Sequence, residues 1–289
     1  MKLLVIGSGG QLGSDFVKEA ERFGHSVFPV DFPAVDIADK TSVNQCVNST
    51  KPDVIVNCAA FTTVDLCEQE PEKAFSLNAD ACFNLASCAR DTGARLVHFS
   101  TDYVFDGRAS IPYIERDDTN PQTVYGKSKL RGEELIAETC PEHFIFRIAW
   151  LYGVHGNNFV KSIRRFAQAA VSEKKPLKVV NDQFGTPTWT VNVCKQVFKV
   201  FDKNEYGVFH STSEGQCSWF DFAKEIVSAS GISVDIEPCT TEEFPRPAPR
   251  PSFSVLENAR LKAMGINIMP EWRQAFKEFL LAETYKKDE

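Results

Sequence analysis

The chain has 289 residues, 43% of them hydrophobic, and a formal net charge of −7. That length suits one large or two intimately joined α/β domains, and the acidic balance argues against nucleic-acid binding, which calls for a basic stripe. No apolar run is long enough to span a membrane, and the apolar start Leu3–Ile6 stops at Gly7, too short for a signal-peptide core.

Short runs rich in Val, Ile, Leu and Phe predict strands at Lys2–Ile6, Ser26–Val30, Asp53–Asn57, Arg95–Ser100 and Phe144–Arg147. Between them, amphipathic stretches predict helices at Gln11–Phe23, Ser42–Thr50, Pro71–Asp91 and Tyr125–Thr139. Such alternation means a parallel sheet with helices on both faces, a doubly wound Rossmann-type α/β fold whose strand ends share one ligand-binding edge. After Trp150 the pattern loosens: helices at Asn158–Ser172, Thr190–Phe201, Ser218–Ser230, Leu256–Met264 and Trp272–Leu281, strands at Leu177–Val180 and Gly207–Ser211. Thr241–Ser252 holds four prolines and no periodicity, so it reads as an extended loop. Residues 1–155 with 187–215 are expected to form the dinucleotide-binding domain. Residues 156–186 with 216–289 are expected to form a smaller, discontinuous substrate domain.

Gly7-Ser8-Gly9-Gly10-Gln11-Leu12-Gly13 follows the first strand and opens the first helix. Glycines at 7, 10 and 13 permit a tight turn and close approach of backbone to a pyrophosphate, which the helix N-terminus attracts. Asp31 ends the second strand, near the spacing expected for a carboxylate that holds a ribose hydroxyl pair. No Lys or Arg lies between His25 and Lys40 to neutralise a 2′-phosphate, which favours NADH over NADPH. Asp36 and Ile37 follow, where a carboxylate would accept from the adenine amino group and an apolar side chain cover its ring.

Tyr125 and Lys129 stand four residues apart, on one face of a predicted helix. A phenol has a reference pKa of about 10, and a nearby positive charge brings it closer to neutral. Such a tyrosine protonates a carbonyl oxygen as a hydride arrives at carbon. The nine cysteines are dispersed without a Cys-x-x-Cys pair and read as reduced thiols of a cytoplasmic protein. The five histidines show no metal spacing, so no metal site is assigned.

The glycine turn, Asn57-Cys58-Ala59-Ala60, Ser100-Thr101-Asp102 and Tyr125-x-x-x-Lys129 together resemble the extended short-chain dehydrogenase/reductases. Within them, the run Ser100 to Gly107, Phe146 to Tyr152, Gly156 to Phe159, Asn181 to Thr188 and Arg250-Pro251 resemble the dTDP-4-dehydrorhamnose reductase family. The likeness extends from about Lys2 to Trp272.

The resemblance implies reduction of the 4-keto group of dTDP-4-dehydro-β-L-rhamnose by NADH or NADPH, in dTDP-rhamnose biosynthesis. By position, Tyr125 would be the proton donor, Lys129 its partner and ribose anchor, and Thr101 a hydrogen-bonding neighbour of the keto oxygen or the phenol. Asp102 and Trp150 would contact the sugar nucleotide, and Arg250 one of its phosphates. Gly7, Gly10, Gln11, Leu12, Gly13, Asp31, Asp36, Ile37, Ala59, Ala60, Phe61 and Phe99 would line the dinucleotide. Related 4,6-dehydratases carry an acidic residue directly after the Ser-Thr-Asp run, where this chain has Tyr103. Other sugar-nucleotide reductases or epimerases remain open, as does a non-catalytic role like that of the regulatory subunit of methionine adenosyltransferase. A monomer or a homodimer is expected, without membrane or nucleic-acid partners.

Overall fold

The computed structural model describes residues 1–201, 203 and 205–285. Six strands form one sheet in the order Ser26–Val30, Lys2–Ile6, Val54–Asn57, Arg95–Thr101, His143–Ile148, Gly207–His210. All neighbours run parallel. The strand order reverses at Lys2–Ile6, which has the second strand on one side and the third on the other. A crevice therefore opens beyond Ile6 and Asn57, where ligands bind in such sheets.

Side chains alternate between the two faces, as a pleated strand requires. Leu3, Val5, Val54, Val56, Val97, Phe144 and Phe146 pack beneath the helices Gln11–Arg22 and Thr190–Phe201, with Phe16 and Val197. Leu4, Ile6, Ile55, Leu96 and Ile145 pack on the other face against Val43, Leu85 and Ile136. Burial on both faces explains why these strands read as continuous apolar runs. Leu261 and Met269, far along the chain, join the first of these clusters.

A second core gathers the helices Phe159–Glu173, Trp219–Ala229 and Trp272–Tyr285 over the paired strands Leu177–Val180 and Ile236–Cys239. Tyr152, Phe222 and Trp272 are fully buried there. Two further pairs are only two residues long: Leu151–Tyr152 with Thr188–Trp189, and Phe184–Gly185 with Cys217–Ser218. Strands so short show no alternation, so sequence periodicity passes over them.

The helix expected at Pro71–Asp91 is interrupted. It runs Pro71–Phe75, widens into a π turn at Ser76–Asp80, and resumes at Ala81–Thr92. The wide turn directs Asn78 inward, where its amide clamps the main chain of Phe61 from both sides, at 2.8 and 3.0 Å, and donates to Ser128 Oγ at 3.0 Å. Gly132 allows the helix Val124–Thr139 to press on this turn, since a Cβ there would lie 2.2 Å from the Asn78 carbonyl oxygen. Asn78 thus fixes both a loop at the sheet edge and the helix bearing Tyr125.

Among the described residues, no helix is long and apolar enough to cross a membrane, and no group of three or more His, Cys, Asp or Glu side chains is arranged to hold a metal ion.

Candidate active site

A cleft of about 1500 Å³ follows the carboxyl ends of the strands, from the glycine turn to the second core. Gly7, Gly10, Gln11 and Leu12 form one end. Gly7 takes φ +79°, and a Cβ on it would fall 2.7 Å from the Ala59 amide nitrogen. Gly13 lies behind the turn, where a Cβ would meet the Gly7 carbonyl oxygen at 2.0 Å. Only glycine permits these approaches. The Asp31 carboxylate accepts from the Gly9 amide at 2.8 Å and from Phe32 at 2.9 Å, and it faces the same end of the cleft.

Ala59, Ala60 and Phe99 line the middle of the cleft. Besides Gly13 behind the turn, three expected cofactor residues do not line the cleft. Ile37 is turned into the sheet core at 7% exposure, because the strand-to-helix connection needs an apolar plug there. Asp36 accepts from the Ala38 amide at 3.0 Å and so closes a turn. Phe61 has its main chain held by Asn78 and its ring beneath the Lys73 ammonium, 4.9 Å away.

Thr101, Tyr125 and Lys129 come together on the cleft wall. Tyr125 sits in the first turn of the helix Val124–Thr139, whose N-cap Thr123 accepts from the Gly126 amide at 3.0 Å. Gly126 makes that turn fit: a Cβ there would lie 2.2 Å from the Tyr103 carbonyl oxygen. The ring of Tyr103 meets that of Tyr125 edge-on, centroids 5.6 Å apart. The Thr101 hydroxyl donates to Asp102 at 2.9 Å and accepts from the Tyr103 amide at 3.2 Å.

The expected lowering of the tyrosine's pKa is not what the protein shows. Burial raises the Tyr125 phenol well above its ordinary value, and a hydrogen bond with Thr101 only partly opposes this. Lys129 has its amine engaged elsewhere, by the Phe99 carbonyl oxygen at 2.6 Å and His98 Nε2 at 3.0 Å. Burial also lowers the pKa of Lys129 itself. Asp102, 4% exposed, has its pKa pushed up by burial to about 6. Its second oxygen finds no partner.

Trp150 adopts φ +47°, a left-handed conformation unusual for a bulky residue. Its indole lies over Gly185, where a Cβ would come within 2.2 Å of Cε2. Trp219 stacks on it, and Phe159 packs on Trp219 at 4.3 Å. All three rings line the cleft. Arg250 also reaches the cleft, but its guanidinium pairs with Asp65 at 2.8 Å. Asp65 in turn accepts from the Ala248 amide at 3.2 Å, tying the proline-rich loop to the sheet edge.

Sequence reasoning missed Trp219, Asn78, His98 and Asp65. Each lies far along the chain from the motif it serves. A π turn or a stacked indole leaves no local signature.

The profile of the family described as "RmlD substrate binding domain" matches residues 1–285. The spore coat polysaccharide biosynthesis protein SpsK of Bacillus subtilis is 40% identical over 96% of each chain. A crystal structure titled as a dTDP-4-dehydrorhamnose reductase of Clostridium acetobutylicum is 47% identical, with TM-score 0.93 over 97% of this chain and 98% of that one. A dTDP-4-dehydrorhamnose reductase of Bacillus anthracis, titled as a complex with NADP, is 36% identical with TM-score 0.93, over 97% and 99%. With a profile matched along almost its whole length and a cleft built on the same motifs, this chain belongs to the dTDP-4-dehydrorhamnose reductase family.

Proposed function

We propose that this protein reduces the 4-keto group of dTDP-4-dehydro-β-L-rhamnose to give dTDP-β-L-rhamnose, with a nicotinamide dinucleotide as hydride source. The observation that carries this reading is that Thr101, Tyr125 and Lys129 line the same cleft as the glycine turn and the Trp150 wall. One continuous space thus offers a dinucleotide cradle, a proton donor and an apolar face for a sugar.

The residues fit the dinucleotide. The cradle at Gly7 is one that a Cβ would fill, and the helix Gln11–Arg22 begins beside it, offering unpaired N–H groups to a pyrophosphate. A reduced nicotinamide bound there would supply hydride to C4 of the sugar. Tyr125 donates its phenolic proton to the ketone oxygen as negative charge develops there. Thr101 orients the phenol and shares its own hydroxyl with Asp102. Lys129 offers an N–H to the ribose. Trp150 and Trp219 hold the sugar against the reacting centre, so that positioning removes much of the barrier. Arg250 serves as the diphosphate contact, exchanging Asp65 for phosphate. Asp31, which has no basic neighbour between His25 and Lys40, favours NADH over a 2′-phosphorylated cofactor.

A coupled assay tests the reading. The 4-keto sugar nucleotide is formed in situ, and the absorbance of NADH and NADPH is followed separately. Oxidation that depends on both the protein and the sugar nucleotide is expected, faster with NADH. Absence of oxidation with either cofactor overturns the function; faster oxidation of NADPH overturns the cofactor preference alone.

A further inference from the structure

The run Gly156-Asn157-Asn158-Phe159 lies far along the chain from the glycine turn, yet it docks on Gln11, the first residue of the helix Gln11–Arg22. The Gln11 side-chain amide is engaged at both ends. Its Nε2 donates to the Leu151 carbonyl oxygen at 3.2 Å, and its Oε1 accepts from Asn158 Nδ2 at 2.9 Å. Asn158 Nδ2 also donates to the Gly153 carbonyl oxygen at 2.8 Å. Asn158 Oδ1 caps the helix Phe159–Glu173 by accepting from the Lys161 amide at 3.2 Å. The carbonyl partners, which can only accept, leave one orientation for each side-chain amide. Gly156, at φ +66°, lets the loop press on Gln11: a Cβ there would stand 3.1 Å from Gln11 Cβ. The Lys161 ammonium fastens the same loop, donating to the Val154 and Gly156 carbonyl oxygens at 2.8 and 2.7 Å.

Two links carry these bonds to the sugar side of the cleft. Leu151 directly follows Trp150, and Asn158 directly precedes Phe159, whose ring packs on Trp219 and so on the stack with Trp150. Gln11 itself lines the cleft beside Gly9 and Gly10, at the helix N-terminus that suits a pyrophosphate. We propose that Gln11 and Asn158 form a strut between the dinucleotide turn and the Trp150 wall, so that a dinucleotide seated on the turn tightens the binding of the sugar nucleotide. A ligand that immobilises the start of the helix immobilises the Gln11 amide with it. The strut passes that restraint to Phe159 and the paired indoles. The sugar nucleotide then meets a wall already ordered and loses less conformational entropy on binding. Linkage makes the reverse effect equal. Gln11 and Asn158 are thus positioning residues, because their side chains act on the sugar through the wall. The inference rests on the reading of the cleft as a site for both ligands, and it adds how the two halves communicate.

Calorimetric titration of the full chain with dTDP, alone and with saturating NAD+, tests the strut without turnover. Wild type should bind dTDP about five-fold or more tightly when NAD+ is present, and NAD+ should gain the same factor from dTDP. Asn158→Ser keeps a helix-capping oxygen and gives up the amide that reaches Gln11. Gln11→Met keeps the length of the side chain and loses both of its bonds. In each variant the factor should fall to about two or less. A general loss of stability would weaken both ligands and leave the factor as it was. A factor near one in wild type overturns the strut, and so does a wild-type factor retained in either variant. If Asn158→Ser does not fold, Gln11→Met, which has no part in the cap, still decides. Wild type that binds no dTDP overturns the strut together with the reductase reading. Wild type that binds dTDP and turns over, but shows no effect of NAD+, overturns the strut alone.

Discussion

The indole of Trp150 lies flat on that of Trp219, ring centroids 3.4 Å apart and planes 4° from parallel. One ring comes from the segment after the fifth sheet strand, the other from the start of the helix Trp219–Ala229. The stack therefore joins the sheet edge to the second core and gives the cleft a rigid apolar wall. Aromatic pairs contribute about 0.5–1.5 kcal/mol beyond the area they bury. Trp219→Ala should raise KM for the sugar nucleotide roughly 3–10-fold and leave the dinucleotide KM near its wild-type value. An equal rise in both constants would assign the stack to general stability.

Gly185 tests the same wall from behind. A methyl group there would overlap Trp150 Cε2 at 2.2 Å, and the indole is held in its stack with Trp219. Gly185→Ala should displace the ring, lowering kcat/KM for the sugar nucleotide by about ten-fold or more. Quenched or shifted tryptophan fluorescence should accompany the loss. Wild-type kinetics in this variant would show that the ring's position is immaterial.

Tyr125→Phe removes one oxygen and keeps the ring against Tyr103. Proton transfer by a positioned side chain contributes about 10²–10⁴-fold to rate, and turnover should fall by that order. Dinucleotide binding, followed by fluorescence titration, should stay within about two-fold. Turnover equal to wild type would leave the phenol without a catalytic part.

Much of this was legible in the sequence, because the sheet's strands are buried on both faces and their helices carry long amphipathic faces. Leu3–Ile6, Val54–Asn57 and Arg95–Thr101 are visible as apolar runs for that reason. The glycine turn and the Tyr125–Lys129 pair were visible because fixed local spacing places them. What escaped was non-local. Trp219 meets Trp150 only through the fold, and Asp65 meets Arg250 across most of the chain. The phenol's pKa departs from the sequence expectation for the same reason: spacing puts the lysine on the right helix face, but burial and the Phe99 carbonyl oxygen decide where its amine points.

Asp65 and Arg250 make a partly buried pair, with side chains 28% and 20% exposed. If Arg250 exchanges this carboxylate for a phosphate, Asp65 competes with the substrate. Arg250→Glu should raise KM for the sugar nucleotide about ten-fold or more, whereas Asp65→Asn should lower it two- to five-fold. Raised KM in both variants would mean that the pair only fastens the proline-rich loop, to which Asp65 also bonds through Ala248.

Asp102 links stability to pH. Burial raises its pKa from 3.8 to about 6 in the folded protein, so the folded state holds this proton more tightly than the unfolded chain does. As pH rises from about 4 to about 6 the unfolded chain ionises first, and stability falls; above pH 6 the contribution is constant. At about 1.4 kcal/mol per pKa unit the loss is roughly 3 kcal/mol. His98, His143 and His210 work against it, because burial lowers their pKa values, His210 to about 3, and their contribution is lost as pH falls. The difference between wild type and Asp102→Asn removes those shared terms. Measured by urea unfolding, that difference should shift in favour of the asparagine variant by up to roughly 3 kcal/mol between pH 4 and pH 6. A difference that stays flat across the interval would mean that Asp102 titrates in the folded protein as it does in the open chain.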